Sequence, residues 1–175
     1  MGSEPAPIEP DTKDWTWVID QGCPECGYTP PEPTEVADRV RATIARWTSA
    51  LQRPNAARRS DSAVWSVLEY GCHVRDVCVI FGARVQQMLT ESDPTFANWN
   101  QDEAAAHDRY HAQQPASVAG EYAEAAGHAA SLFEGVQGDQ WFRPGTRSNG
   151  SLFTVATLGV YFVHDLEHHL HDVAG

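Results

Sequence analysis

Apolar side chains recur every three or four residues in four separate stretches of the chain, a spacing typical of helices that bury one face. The pattern predicts helices over 34–52, 62–89 and 115–136, and a last helix from Thr154 to the chain end. No stretch alternates between apolar and polar residues as a half-buried strand would. Four amphipathic helices with two long connections predict an all-α fold, a four-helix bundle.

The first 33 residues show no sustained periodicity and contain most of the chain's eleven prolines. We therefore expect an irregular, Pro-rich N-terminal arm over residues 1–33 and the helical bundle over residues 34–175. The segment "DWTWVI" is apolar enough that the arm should pack on the bundle rather than extend into solvent. The connection over 90–114 has room for one short helix, and connections of this length are often functional.

Twelve basic and twenty-four acidic residues give the chain a formal net charge of −12. This charge argues against binding to nucleic acid or to an anionic membrane surface, because both are themselves negative. No apolar run approaches the roughly 18 residues that a membrane-spanning helix needs, and the first residues lack the apolar core of a secretory signal. We therefore expect a cytoplasmic protein. We also expect a monomer or a homodimer.

Four of the eight histidines lie in "YFVHDLEHHLHDV", where the apolar start of the last helix continues into a polar end. Separations of 4, 3, 4 and 3 place five residues on one seam of that helix: Thr157, Tyr161, His164, His168 and His171. Such a seam faces the interior of a bundle, where imidazoles without partners are costly to bury. A divalent metal removes that cost, because His164 and His168 at i and i+4 can bind one ion. The neighbouring stripe, with Asp165, His169 and Asp172, is expected to lie nearer to solvent.

The third metal ligand should come from a facing helix, and His73 is the only histidine in the second predicted helix. A site of His73, His164 and His168 would leave coordination positions open for water or substrate, as catalytic metal sites do. The alternative is a solvated histidine cluster that the helix dipole favours at the C-terminal end. A further i, i+4 pair, His107 and His111, has polar flanks and is interpreted as solvent-exposed.

Two short motifs resemble the DinB-like metalloprotein superfamily: the lone histidine of "YGCHVRDV" and the "HDLEHHLH" run near the C-terminus. That superfamily includes mycothiol-dependent maleylpyruvate isomerase and the bacillithiol S-transferases. The resemblance implies a four-helix bundle with a divalent metal, often zinc or nickel, held by His73, His164 and His168. The isomerases tend to have Glu where this chain has His164, which is closer to the transferases. The composition and the "DWTWVIDQGCPECG" arm resemble an actinobacterial branch, in which mycothiol would be the available thiol.

The resemblance implies a metal-dependent thiol transferase or isomerase, whose partners are a small-molecule thiol and an electrophilic substrate. Candidate pocket residues are Tyr161, one turn before the histidines, and Asn100 and Asp102 from the long connection. Glu69, one turn before His73, is a candidate fourth ligand or hydrogen-bond acceptor. Two alternatives stay open: a hydrolase or lyase that uses metal-bound water, and a non-enzymatic protein that binds a metal or small molecule.

The four cysteines carry a separate signal, because "CPECG" resembles one knuckle of a zinc ribbon. A structural zinc ion would need a second such pair. Cys72 and Cys78 are six positions apart within a predicted helix, so they do not easily supply it. We interpret Cys23 and Cys26 as shaping a turn in the arm, and a redox-active pair or a partial metal site stays open.

Overall fold

The computed structural model describes residues 5–175, so residues 1–4 of the predicted arm lie outside the described residues. Four long helices form the predicted bundle: α2 (Val36–Leu51), α3 (Val67–Thr90), α5 (Pro115–Glu134) and α6 (Val155–Asp172). Two short helices lie in the arm and in the long connection, α1 (Val18–Gln21) and α4 (Gln101–His107). Single turns of 3₁₀ helix occur at Pro33–Glu35, Tyr110–Ala112 and Gly138–Phe142. Helices α2 and α3 each pack against both α5 and α6.

Reciprocal hydrogen bonds between side chain and backbone fix where α3 and α6 begin. Ser66 Oγ accepts a hydrogen bond from the backbone N–H of Glu69, whose carboxylate accepts one from the backbone N–H of Ser66. Thr154 and Thr157 make the same arrangement at the start of α6. Such caps satisfy backbone donors that a helix start leaves unpaired. The cap at Ser66 explains why α3 starts at Val67 and not at Ser62 as predicted.

The prediction that the chain has no strands is wrong at three short segments: β1 (Thr95–Phe96), β2 (Pro144–Arg147) and β3 (Leu152–Thr154). Strand β2 pairs in parallel with β1 and antiparallel with β3. Segments of two to four residues are too short to show alternation. Gly145 is required for the close packing of β2, since a Cβ atom there would lie 2.5 Å from the ring of Phe96. The β2–β3 hairpin leads directly into α6.

The apolar first half of α6 lies in the core. The ring of Phe162 stacks between Phe81 of α3, at a centroid distance of 5.3 Å, and Phe133 of α5, at 6.0 Å. Gly159 allows the close approach to α5, because a Cβ atom there would lie 2.8 Å from the ring of Phe133. Within residues 5–175, neither α6 nor any other helix is long and apolar enough to cross a membrane.

The arm packs along α6. Val18 is fully buried, and the rings of Trp15 and Trp17 lie against the main core. The hydroxyl of Tyr28 donates a hydrogen bond of 2.6 Å to the backbone oxygen of Val160. These contacts bring the "CPECG" turn beside the half of α6 that carries the histidines.

Candidate metal centre

The C-terminal half of α6 carries two pairs of metal-binding side chains on adjacent stripes. His164 and His168 form one pair, and Asp165 and His169 form the other, each with i, i+4 spacing. Consecutive residues of an α-helix point about 100° apart. The two pairs therefore face different neighbours, and each pair meets ligands from another part of the fold.

The first cluster combines His73 of α3 with Asp165 and His169, and we call it the His73 cluster. One ligand atom from each residue lies within 4.8 Å of the others. His73 Nε2 lies 3.4 Å from Asp165 Oδ1, and His169 Nε2 lies 3.3 Å from the same oxygen. Ligands bound to one ion at about 2.0–2.2 Å lie about 3.0–3.4 Å apart. Both distances to Asp165 therefore match a common coordination shell, and the two imidazoles offer ligand atoms within 4.8 Å of each other.

The chemistry of the donor atoms also fits a divalent cation. Asp165 Oδ1 is buried and, among the described residues, has no hydrogen-bond partner of good geometry. Burial raises the pKa of the Asp165 carboxyl, but His169 and His73 lower it more, so that pKa lies well below its usual value. A buried, ionised carboxylate needs a positive charge nearby, and either a protonated His169 or a divalent cation can supply it. Two imidazole nitrogens and one carboxylate oxygen form a ligand set that suits divalent transition metals.

Asp172 orients His169 within the His73 cluster. Its Oδ2 atom lies 2.8 Å from His169 Nδ1, on the side of the ring opposite the Nε2 atom that faces Asp165. A carboxylate behind a metal-binding histidine fixes the tautomer and the direction of the ring. Burial lowers the pKa of His169, but Asp165 and Asp172 raise it to about 9. A metal ion that binds at Nε2 must therefore displace a proton from this imidazole.

Aromatic side chains enclose the His73 cluster. The ring of Trp99 stacks on His73 with a centroid distance of 5.7 Å and an interplanar angle of 13°. The ring centroid of Trp65 lies 5.6 Å from that of His73, and the ring centroid of Tyr70 lies 4.9 Å from that of His169. This enclosure lowers the local dielectric and strengthens the electrostatic attraction between the cluster and a cation.

The second cluster joins the arm to α6, and we call it the Cys23 cluster: Cys23, Cys26, His164 and His168. Burial and the neighbouring His168 lower the pKa of His164 to about 4, and burial lowers the pKa of His168. Both imidazoles are therefore neutral at pH 7, which is the form that binds metals. Burial raises the pKa of the Cys26 thiol to about 11. A redox-active C-x-x-C pair has a lowered thiol pKa instead.

The three predicted ligands lie in two clusters and not in one. His73 meets Asp165 and His169, whereas His164 and His168 meet the cysteines of the arm. Asp165 and His169 lie nearer to solvent than His164 and His168, as expected, but they are still largely buried, with side chains 22% and 21% exposed against 13% for His168. His171, on the predicted seam, is exposed. Asp165 and His169 have the same i, i+4 spacing as the predicted pair, His164 and His168. That spacing was the sequence signal that could have identified Asp165 and His169 as ligands.

Comparison with known proteins supports this architecture. The family model of the DinB superfamily matches residues 54–173. The chain belongs to the DinB superfamily. A solved structure with the same fold is that of YfiT from Bacillus subtilis, described as "a probable metal-dependent hydrolase with an unusual four-helix bundle topology". The match has a TM-score of 0.68 and 16% sequence identity, and it covers 95% of this chain and 91% of YfiT. A search of curated proteins found no significant match.

A cavity of about 670 Å³ in this DinB-superfamily chain opens beside both clusters. Its lining includes Asp165 and His169 of the His73 cluster, together with Tyr161 and Asp102, two of the three predicted pocket residues. The third, Asn100, caps α4, where its Oδ1 atom accepts hydrogen bonds from two backbone N–H groups. Burial raises the pKa of Tyr161 to about 12, so its hydroxyl is protonated at neutral pH.

Glu69, the predicted additional ligand, has different partners. Its carboxylate accepts a two-pronged hydrogen bond from Arg59, with a shortest distance of 2.5 Å, and further bonds from Ser66. These interactions stabilise the start of α3. They direct the Glu69 carboxylate toward Arg59.

Proposed function

We propose that this chain is a divalent-metal-dependent enzyme whose ion is held by His73, Asp165 and His169. The observation that supports this proposal most strongly is the convergence of three ligand atoms beside a cavity of about 670 Å³. Three protein ligands leave coordination positions open, which is typical of catalytic sites and not of structural ones. A divalent ion bound there would act as a Lewis acid and lower the pKa of a small nucleophile that entered the open position.

The surrounding side chains have separate tasks in this proposal. Asp172 holds the His169 ring in the orientation that ligation needs. Tyr161 lines the cavity, and its hydroxyl is protonated at neutral pH, so it can donate a hydrogen bond to the substrate. Arg147, from the β2–β3 hairpin, brings a positive charge to the same cavity and can pair with a carboxylate or a similar anion.

For the nucleophile, we propose a low-molecular-weight thiol such as mycothiol, which would attack an electrophilic small molecule in a transfer or isomerisation reaction. Thiols are soft ligands that zinc and nickel bind well. The cavity volume lies within the range of about 300–1,000 Å³ that is usual for small-molecule sites. It is large enough for more than water alone. The resemblance to thiol-dependent members of the superfamily points in the same direction.

The second candidate is hydrolysis, with water as the nucleophile. It is favoured by the likeness to YfiT, which is described as a probable metal-dependent hydrolase. A His₂-carboxylate ligand set is also the set that several zinc hydrolases use. The two candidates share the His73 cluster and differ only in the nucleophile.

The test measures the turnover of zinc-loaded and nickel-loaded protein in two assays. One assay follows conjugation of mycothiol to the electrophile monochlorobimane, and the other follows hydrolysis of p-nitrophenyl acetate without a thiol. We expect the thiol assay to show catalysis that Asp165→Asn and His169→Ala abolish. The control variant His107→Ala changes an exposed histidine of α4 and should retain full activity. Hydrolysis alone would support the second candidate, and metal content unaffected by Asp165→Asn and His169→Ala would overturn both.

A further inference from the structure

The "CPECG" stretch forms a tight turn that backbone hydrogen bonds close. The backbone N–H of Cys23 donates to the oxygen of Tyr28 at 2.9 Å, and the N–H of Gly27 donates to the oxygen of Cys23 at 2.8 Å. Gly22 and Gly27 have φ values of +70° and +75°, which glycine adopts without strain. This turn brings both cysteine sulfur atoms to the same side, facing α6.

The four side chains of the Cys23 cluster lie close enough together to serve as ligands of one ion. Each offers a sulfur or nitrogen atom within 4.8 Å of the other three. Cys23 Sγ lies 3.8 Å from His168 Nδ1. In a tetrahedral zinc site with bonds of about 2.3 Å to sulfur and about 2.0–2.1 Å to nitrogen, such atoms lie about 3.3–3.8 Å apart. The distance between Cys23 and His168 already falls in this range, and the remaining ligand atoms lie within 4.8 Å of one another.

His164 provides an independent indication of a ligand at this position. Its residue is only 4% exposed, and its Nε2 atom is buried without a hydrogen-bond partner among residues 5–175. A buried imidazole nitrogen without a partner is costly unless it binds something. The ring centroids of Trp15 and Tyr28 lie 5.5 Å and 5.0 Å from the ring centroid of His164. Both rings shield His164 from solvent.

We propose that Cys23, Cys26, His164 and His168 bind a structural zinc ion that is separate from the ion of the His73 cluster. Two sulfur and two nitrogen ligands complete a tetrahedral shell and leave no position for substrate. The zinc ion links the arm and α6, which are far apart in the sequence. Without the ion, packing alone would hold them together. Residues between Ile8 and Trp15, just before the "CPECG" turn, form one wall of the cavity. The zinc ion therefore holds that wall in place.

This proposal does not rest on the proposed function, because it concerns a site with its own ligands. The His73 cluster has three ligands, of which Asp165 and His169 line the cavity, and the Cys23 cluster has four, of which His164 and His168 line it. Adjacent positions of α6 serve both, with His164 beside Asp165 and His168 beside His169. Because the two clusters have no ligand in common, each site can be removed by substitution without changing a ligand of the other.

The test is the zinc content and cobalt spectrum of the full chain purified under reducing conditions. We expect about two zinc ions per chain in the wild type and about one in the double variant Cys23→Ser/Cys26→Ser. Cobalt-substituted wild type should show a sulfur-to-cobalt charge-transfer band that the double variant lacks. The variant Asp165→Asn/His169→Ala should keep that band while losing the other ion. Cys78→Ala, which changes a buried cysteine of α3, is the matched control and should keep both.

X-ray absorption at the zinc edge of the wild type keeps the proposal testable if the double variant fails to fold. We expect sulfur scatterers at about 2.3 Å from zinc. A zinc shell without sulfur would overturn the proposal. Wild-type zinc content in the double variant, or a Cys23–Cys26 disulfide in reduced, zinc-supplied protein, would overturn it as well. If the sulfur–cobalt band is missing while the His73 cluster binds metal normally, the structural-zinc proposal fails and the proposed function is unaffected.

Discussion

His168 and His169 are consecutive in the chain, yet their imidazoles face two different clusters. His168 Nδ1 lies 3.8 Å from Cys23 Sγ in the arm, whereas His169 Nε2 lies 3.3 Å from Asp165 Oδ1 on the side that faces α3. The change of direction follows from the rotation of about 100° between neighbouring helical residues. One turn of α6 therefore carries residues of both clusters, and substitutions can distinguish them.

Asp172→Asn should weaken metal binding at the His73 cluster by about 10–100-fold, because Asp172 Oδ2 lies 2.8 Å from His169 Nδ1 and orients that ligand. The Cys23 cluster should change less, since Asp172 Oδ1 lies 3.8 Å from His168 Nε2, beyond hydrogen-bond distance. Competition with a chromophoric chelator measures both affinities. Asp139→Asn, at an exposed position, is the control. Unchanged affinity at the His73 cluster would show that Asp172 does not support that ligand.

Metal removal should loosen the arm before it affects the core. Hydrogen–deuterium exchange of residues 15–28 should accelerate by about tenfold or more after chelation, because zinc binding contributes directly to folding free energy in small structural sites. Amides of α5 around the fully buried Tyr122 should keep their exchange rates and serve as the internal reference. Equal protection of the arm with and without metal would mean that packing alone holds it.

Tyr161→Phe should leave the metal content unchanged and lower kcat/KM of the thiol-dependent reaction by about tenfold, the effect of losing one hydrogen bond to substrate. Tyr161 lines the cavity, and burial raises the pKa of its hydroxyl to about 12, so that hydroxyl is a donor throughout the neutral range. The measurement compares kcat/KM, bound metal and the thermal midpoint of the two proteins. Unaltered kcat/KM at equal metal content would remove Tyr161 from the substrate site.

Glu69→Gln should destabilise the fold by about 1–3 kcal/mol, because it removes a buried, charge-assisted hydrogen bond with Arg59. Burial raises the pKa of Glu69, but bonds from Arg59 and Ser66 outweigh it and lower that pKa below its usual 4.5. The stabilisation is therefore fully present above pH 4.5 and is lost as the pH falls through the lowered pKa.

Chemical denaturation at several pH values measures this effect as the difference in unfolding free energy between wild type and Glu69→Gln. Glu134→Gln, which removes the exposed partner of Arg41, is the matched control and should change stability less. A difference for Glu69→Gln that stayed constant from pH 7 to well below pH 4 would contradict the assigned ionisation.

The helices were predictable from the sequence because they are long and their apolar stripes are regular. Helix α6 begins at Val155, directly after the Thr154 cap that the sequence indicates. The strands were not predictable, because β1 has two residues and β2 contains Pro144 and Gly145. Their pairing depends on tertiary packing, which brings Thr95 beside Thr146.

The location of the candidate site on the last helix was predictable, but its ligand set was not, because an all-histidine site was expected. Spacing selects His164 and His168 as well as Asp165 and His169, and it does not show which pair faces α3. That choice depends on the rotation of α6 about its axis, which the packing of Phe162 between α3 and α5 fixes. The arm then covers the other stripe with Cys23 and Cys26, two residues whose partners lie more than 130 positions away.

Anomalous diffraction at the zinc absorption edge from crystals of zinc-loaded protein tests the central claim most directly. Two peaks per chain are expected, one among His73, Asp165 and His169 and the other among Cys23, Cys26, His164 and His168. A single peak bound jointly by His73, His164 and His168 would contradict the account.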